Sequence, residues 1–326
     1  MSPLLRIPTP AIFAISVAVA LVVLWFQGAL QAVVGALGDA DVRLLIFAAP
    51  IYLASLALLC YRWHVLVRMA HGVSDLPRAA EAFLTSVVIN YAAPIGLAVP
   101  SRALLTKRAL GLDAKATGTI SIWEIGLDVI VLGAGTLLWL MLTRGSASMV
   151  GDELSSATDA FAAIGGVSLV LAGIALWWMF RNPERRERYL EFGKRVLLAP
   201  KVRPWEATIA LSVTIAYWTV QGLVLAVLVS AFGVDPTFVF ILGLASLPIL
   251  VGMLSPIPGG AVVRESLMYA VARLADVPGA PVIAAALVYR LALFAAIPIL
   301  YGLTRWWIVR SGELGQAPDS TTRQKQ

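Results

Sequence analysis

Cysteine occurs once in the 326 residues, as Cys60, and histidine twice, as His64 and His71. A single thiol excludes an internal disulfide and any metal site built on cysteines. The two histidines have no HExxH-like acidic company, and both fall after the second apolar run, where they read as interfacial loop residues and not as metal ligands. Paired aspartates that could hold a metal-bound diphosphate are missing, as are a histidine within an apolar run and a Ser/His arrangement. No metal and no cofactor is expected. Charge is scarce as well, at 13% of residues, with none between Asp235 and Arg264 or between Glu265 and Arg273.

What fills the chain instead is hydrocarbon. Hydrophobic residues make up 60% of it and the mean hydropathy is +0.85, whereas about half of a soluble domain is apolar. The expected class is all-α integral membrane, with residues 1–310 as a single polytopic domain and 311–326 as a disordered cytoplasmic tail. In a soluble chain a net charge of +6 would suggest nucleic acid. Here it reflects basic cytoplasmic loops, and no nucleic-acid partner is expected.

The runs come in order. Pro10 to Val34 is longer than a signal-peptide core of about 7–15 residues and reads as a retained anchor. Further spans are expected at about 44–61, 117–143, 160–180, 207–232 and 282–304. Glu124 and Asp128 interrupt the third of these six at i,i+4 spacing, so they share a helix face; Arg290 interrupts the last. Between 181 and 206 lie eight basic residues, with Tyr189, Phe192 and Val196 at helical spacing. This pattern suits either a helix on an anionic leaflet or a plain topology-setting loop.

Two apolar stretches are broken. Ser255-Pro-Ile-Pro-Gly-Gly-Ala-Val-Val-Arg-Glu265 puts two prolines and two glycines ahead of a charge pair. Proline removes a donor and clashes with the preceding turn, and glycine loses the most entropy on ordering, so no helix continues through. The uncharged run 82–101 carries Asn90, Pro94, Gly96 and Pro100 and ends at Arg102. At membrane depth, broken backbone persists only inside protein or beside water, and charges there mark functional sites.

Charge bias decides how these stretches run. If both are re-entrant hairpins, one from each side, nineteen of the 25 Lys and Arg residues fall on the cytoplasmic side, with both termini cytoplasmic in the plasma (inner) membrane. The expectation is therefore about six transmembrane helices plus two re-entrant helical hairpins. Laying Pro94 on Pro258 puts Gly96 on Gly260 and brings Glu124 within about two residues of Arg290's counterpart, with charge signs swapped. That describes an inverted repeat, about 82–143 and 237–304, whose broken helices meet near the midplane. The swapped signs predict that Glu124 pairs with Arg290 and Arg102 with Glu265.

Pro258-Gly-Gly-Ala-Val-Val-Arg-Glu265 resembles the Pro-Gly-Gly-Leu-Gly-x-x-Glu motif of the lysylphosphatidylglycerol synthase transmembrane, or flippase-like, family. Ala286-Leu-Val-Tyr-Arg290, Tyr61-Arg-Trp-His64 and Asn90-x3-Pro94-x7-Arg102 support the likeness over about 42–307. The chain departs from the family at Val262, where a third glycine is usual, and at Val99, where a glutamate is. The resemblance implies translocation of a phospholipid or a lipid-linked headgroup. The aminoacyl-transferring domain of some members is not expected, because the chain ends about twenty residues past the last span.

The leading functional expectation is accordingly a lipid flippase or transporter, not an enzyme, acting on a membrane phospholipid or lipid-linked substrate. Two helix N-termini aimed at the midplane, together with Arg102, Arg264 and Arg290, would hold a phosphate. Glu124, Asp128 and Glu265 would take a cationic headgroup portion or a coupling proton. Asn90, Pro94, Gly96, Pro258, Gly259 and Gly260 complete the substrate-binding set, and the 181–206 loop meets anionic headgroups. Alternatives are a membrane-embedded lipid-modifying enzyme and a non-catalytic partner of an envelope-biosynthesis complex. The sequence leaves homo-oligomerisation open.

Overall fold

The computed structural model describes residues 8–26, 34–35, 37–38, 40–92, 98–143, 177, 181–254 and 263–312, and among these all regular structure is helical. The helices are α1 (Thr9–Phe26), α2 (Val42–His71), α3 (Leu76–Ala92), α4 (Ala98–Leu110), α5 (Ala114–Leu142), α6 (Pro183–Val202), α7 (Pro204–Ala231), α8 (Phe238–Leu254), α9 (Val263–Leu274) and α10 (Gly279–Arg310). Local chemistry sets several ends. The Asp41 carboxylate accepts from the Arg43 amide at 2.8 Å to open α2, and Asp113 accepts from the Ala116 amide at 2.6 Å to open α5. Gly72, at φ 93°, closes α2 in a conformation that side chains other than glycine's rarely adopt. Proline starts α7, where its missing N–H has no partner to lose.

Four helices are long and apolar enough to cross a membrane: α2, α5 (as Lys115–Leu142), α7 and α10. The chain is a multi-pass membrane protein. The paired shorter helices α3 and α4 (17 and 13 residues) and α8 and α9 (17 and 12) are different in kind. At about 1.5 Å per residue even seventeen residues reach only about 26 Å, less than the roughly 30 Å of a hydrocarbon core.

The four elements α2 to α5 are followed by four of matching size. Lengths of 30, 17, 13 and 29 residues recur as 28, 17, 12 and 32. α2 and α7 start at 42 and 204, and α3 and α8 at 76 and 238, both 162 apart. The neighbours recur too: α3 packs on α10, and α8 packs on α5.

α2 and α7 are antiparallel. At one end the Asp41 amide donates to the Ala231 carbonyl at 2.8 Å. At the other, Arg203 at the head of α7 donates to the Arg68 and Met69 carbonyls at 3.0 and 2.9 Å, beside an Arg68–Glu206 ion pair of 3.4 Å. Close approach of α5 to α8 depends on small residues: a methyl group on Gly135 would lie 3.2 Å from the Ser246 Cβ.

Several expectations change. The second span does not stop at Tyr61: α2 runs to His71, so Arg62, His64 and His71 are helical and not in a loop. Six of the nine residues after Arg62 are apolar, so the helix continues past it. α3 begins at Leu76, which brings Arg78 and Glu81 into the helix. Within the first run the described helix is Thr9–Phe26. The expected span at 160–180, apart from Trp177, and the tail from residue 313 lie outside the described residues.

α6 rests on α5. Trp123 Nε1 donates to the Val196 carbonyl at 2.9 Å, Arg195 pairs with Asp113 at 3.8 Å, and Phe192 lies over Gly118. Phe192 and Val196 thus serve packing within the bundle, while Tyr189 stays exposed.

Candidate functional site

Arg62 of α2 is 2% exposed, and the structure gives it two carboxylates from one face of α5. Its two terminal nitrogens form a fork on Asp128: Nη1 donates to Oδ1, and Nη2 to Oδ2 at 3.1 Å. Nη2 also reaches Glu124 Oε1 at 3.5 Å. Trp218 Nε1 of α7 donates to Asp128 Oδ1 at 2.7 Å, and the guanidinium lies 5.6 Å from the centre of the Tyr217 ring. Gln221 Nε2, one turn on, donates to the Tyr217 hydroxyl at 3.0 Å. The i,i+4 spacing of Glu124 and Asp128 would put like charges together in hydrocarbon; Arg62 resolves that repulsion and joins α2, α5 and α7. Removing one partner of a buried pair costs about 3–5 kcal/mol.

A second cluster is less complete. Arg290 of α10 pairs with Glu265 of α9 at 3.6 Å. Arg264 lies 4.6 Å above the Tyr289 ring, which itself meets Tyr52 of α2 edge-on at 5.4 Å. Arg264 Nε and Nη2, Arg290 Nε and Glu265 Oε2 are all buried with no hydrogen-bond partner among the described residues. Two guanidinium groups and one carboxylate leave an excess of one positive charge. Orphaned buried polar atoms are uncommon, because each carries its desolvation cost uncompensated. Four of them on three adjacent charged residues fit a binding site for an oxyanion, which an arginine fork would bind bidentately.

Both clusters sit at depth. Arg290 lies eleven residues into the 32-residue α10, about 16 Å along the axis. Asp128 lies fourteen residues into α5. α2 serves both, contributing Tyr52 to the second cluster and Arg62 to the first. A third polar group lies nearer the α2 C-terminal side: Glu81 of α3 accepts from the Tyr301 hydroxyl and from Arg305 Nη1, each at 3.1 Å.

The expected pairing of Glu124 with Arg290 is not what forms. Arg290's partner is Glu265, two residues into α9, and Arg62 is a partner of Glu124. Asn90 and Arg102 lie on α3 and α4 with side chains outside the described residues, so the Arg102–Glu265 pairing is outside them too. The same holds for Pro94, Gly96, Pro258, Gly259 and Gly260. Of the expected residues, Glu124 and Asp128 meet in one cluster and Arg264, Glu265 and Arg290 in the other.

Sequence reasoning missed Arg62, Trp218, Tyr289 and Glu81. The signal for Arg62 was the apolar character of the residues beyond it. Trp218 carries no signal among so many apolar aromatics, while Arg62 and Tyr289 stood within the family-like stretches Tyr61–His64 and Ala286–Arg290 without a role of their own.

A family model described as the lysylphosphatidylglycerol synthase TM region matches residues 13–302. No curated protein and no solved structure matches the chain.

Proposed function

Because the chain belongs to the lysylphosphatidylglycerol synthase TM region family, whose name ties it to membrane lipid metabolism, we propose that it is a flippase: it moves a phospholipid or lipid-linked anionic headgroup across the bilayer. The observation that carries this reading is the incomplete cluster of Arg264, Glu265 and Arg290, whose buried polar atoms lack hydrogen-bond partners among the described residues. A phosphate there would engage Arg264 and Arg290, and Glu265 Oε2 would accept from a headgroup donor. The first cluster, with Asp128 already engaged by Arg62 and Trp218, holds the bundle together around it.

The arrangement of the short helices supports alternating access. α3 follows the end of α2 directly, and α4 leads to Asp113, which pairs with Arg195 of α6; α6 in turn leads into the α7 start that meets the end of α2. Hairpin α3–α4 therefore enters and leaves on one side. Thr237 at the head of α8 and Leu274 at the end of α9 share a cavity with Thr143 at the end of α5, on the other side. Two re-entrant hairpins from opposite faces, following antiparallel α2 and α7, make an inverted repeat, the architecture that rocks around a midplane site.

Residues 62–81 apart from Arg62, 102–116, 181–206 and the C-terminal end would face the cytoplasm of a plasma membrane, on the positive-inside bias. Arg62 leaves that count, since it is buried. The exposed Arg186, Arg188, Lys194 and Lys201 of α6 would meet anionic headgroups there.

The test is a headgroup-accessibility assay in proteoliposomes with phosphatidylglycerol carrying a quenchable headgroup fluorophore. Wild type should expose the label from the inner leaflet. Arg264→Gln and Glu265→Gln should insert, purify and lose at least an order of magnitude in rate. Both variants translocating like wild type would remove the site, and lipid recovered chemically altered would point to an enzyme.

A further inference from the structure

An apolar groove of about 470 Å³ lies between α5, α7 and α8, with Val131, Ile215, Trp218, Ala226 and Ile241 among its walls. We propose that this groove seats one acyl chain of the lipid being moved, while the headgroup is held at the Arg264, Glu265 and Arg290 cluster. The proposal rests on the reading of the protein as a lipid carrier and deepens it.

The chemistry of the lining selects hydrocarbon. Three hydroxyls border the groove, and each is engaged by its own chain. Thr219 donates to the Ile215 carbonyl at 2.8 Å, Ser246 to the Leu242 carbonyl at 2.6 Å, and Thr237 accepts from the Phe240 amide at 3.3 Å. What they leave to a polar ligand, the Thr237 O–H and a few hydroxyl lone pairs, is small beside a lining that is otherwise apolar.

The Trp218 side chain lines the groove and also donates from Nε1 to Asp128, so the groove adjoins the buried charged cluster. A chain lying here would end beside the polar interior, as a lipid's tail must when its headgroup is inside. The mouth is flanked by Ile215 and Leu223 of the spanning helix α7, 49 and 50% exposed, and by Phe238 at the start of the apolar α8, 71% exposed, so it opens toward the bilayer.

The matching surface of the other half is covered. There α1 packs on α3, and Phe13 stacks on Tyr301 of α10 at 3.8 Å. Tyr301 and Thr136 each lie twenty-two residues beyond the first residue of their helices, α10 and α5, and Thr136 adjoins the groove residue Gly135. An apolar rod therefore already occupies the equivalent seat. The groove itself falls within the range of small-ligand sites, which an alkyl chain fits.

The experiment uses the full chain in proteoliposomes. Phosphatidylglycerol bearing a diazirine at mid-chain maps contacts by mass spectrometry, and the headgroup-labelled lipid reports translocation. In wild type the crosslinks should fall on α7 and α8 at the groove. Ala226→Trp, or Ile241→Trp from the opposite wall, should cut them at least tenfold and slow translocation by a similar factor. Crosslinks confined to other faces overturn the proposal even if both variants misfold, and so do folded variants that translocate like wild type. A wild type that translocates but leaves the groove unlabelled sinks the groove and spares the flippase reading. One that labels in the groove yet moves no lipid, neither fluorescent nor diazirine-bearing, overturns both.

Discussion

Arg62 offers the most direct check on the bundle. Arg62→Gln removes the guanidinium from between Asp128 and Glu124, which are 6 and 7% exposed, and leaves two buried carboxylates on one helix face. Breaking one side of such a pair costs about 3–5 kcal/mol. Asp128→Asn keeps an oxygen for Trp218 but strips the charge from the Arg62 fork; with Glu124 still at 3.5 Å, its expected loss is near the bottom of that range, about 3 kcal/mol. If the two residues meet as the structure has them, the double variant removes both charges together. It should lose about 4 kcal/mol in place of the sum of 6–8, a coupling in the range of about 0.5–3 kcal/mol found for residues in contact, or slightly above it. Thermal unfolding in detergent reads this out, since about 2 °C accompanies each kcal/mol in chains of a few hundred residues. Arg62→Gln should therefore fall about 6–10 °C by the same scale. Losses adding to within about 0.5 kcal/mol would show that the residues do not interact and that the central cluster is wrong.

Packing of α8 on α5 gives a second test: a Cβ on Gly243 would fall 2.7 Å from Trp139 Cε2. Gly243→Ala should cost about 1–3 kcal/mol by overpacking, with most of it recovered on adding Trp139→Leu; no recovery would mean that the two helices do not touch there. Sidedness gives a third. In a Cys60→Ser background, cysteines at Gly111 and Gly193 should resist an impermeant thiol reagent in intact cells and one at Asp276 should react. Opposite labelling of Gly111 and Gly193 would make the first hairpin a full crossing.

Composition alone settled the solvent this chain folds in. With 60% hydrophobic residues, length and hydropathy located α2, α5, α7 and α10, because crossing hydrocarbon requires about twenty apolar residues whatever the neighbours are; the end of α2, though, lies ten residues past the expected one. The spacing of the two broken stretches was legible as well. The prolines laid on each other, Pro94 and Pro258, are 164 apart, between the 162 of the α2/α7 starts and the 165 separating the starts of α5 and α10.

Which charges meet was not legible. Counting from the helix starts puts Tyr289, not Arg290, opposite Glu124. One residue of misalignment turns a side chain by about 100° on a helix of 3.6 residues per turn, enough to send it to another neighbour. Arg62 was hidden because a charge at the end of an apolar run reads as the membrane surface. Only the antiparallel packing of α2 against α7, with α5 alongside, supplies the carboxylates that let an arginine stay buried. The sequence determined where hydrocarbon and charge lie along the chain. Tertiary structure decided which charges are paired and which are left open, because that depends on helix rotation and reach across elements, and no local pattern encodes either.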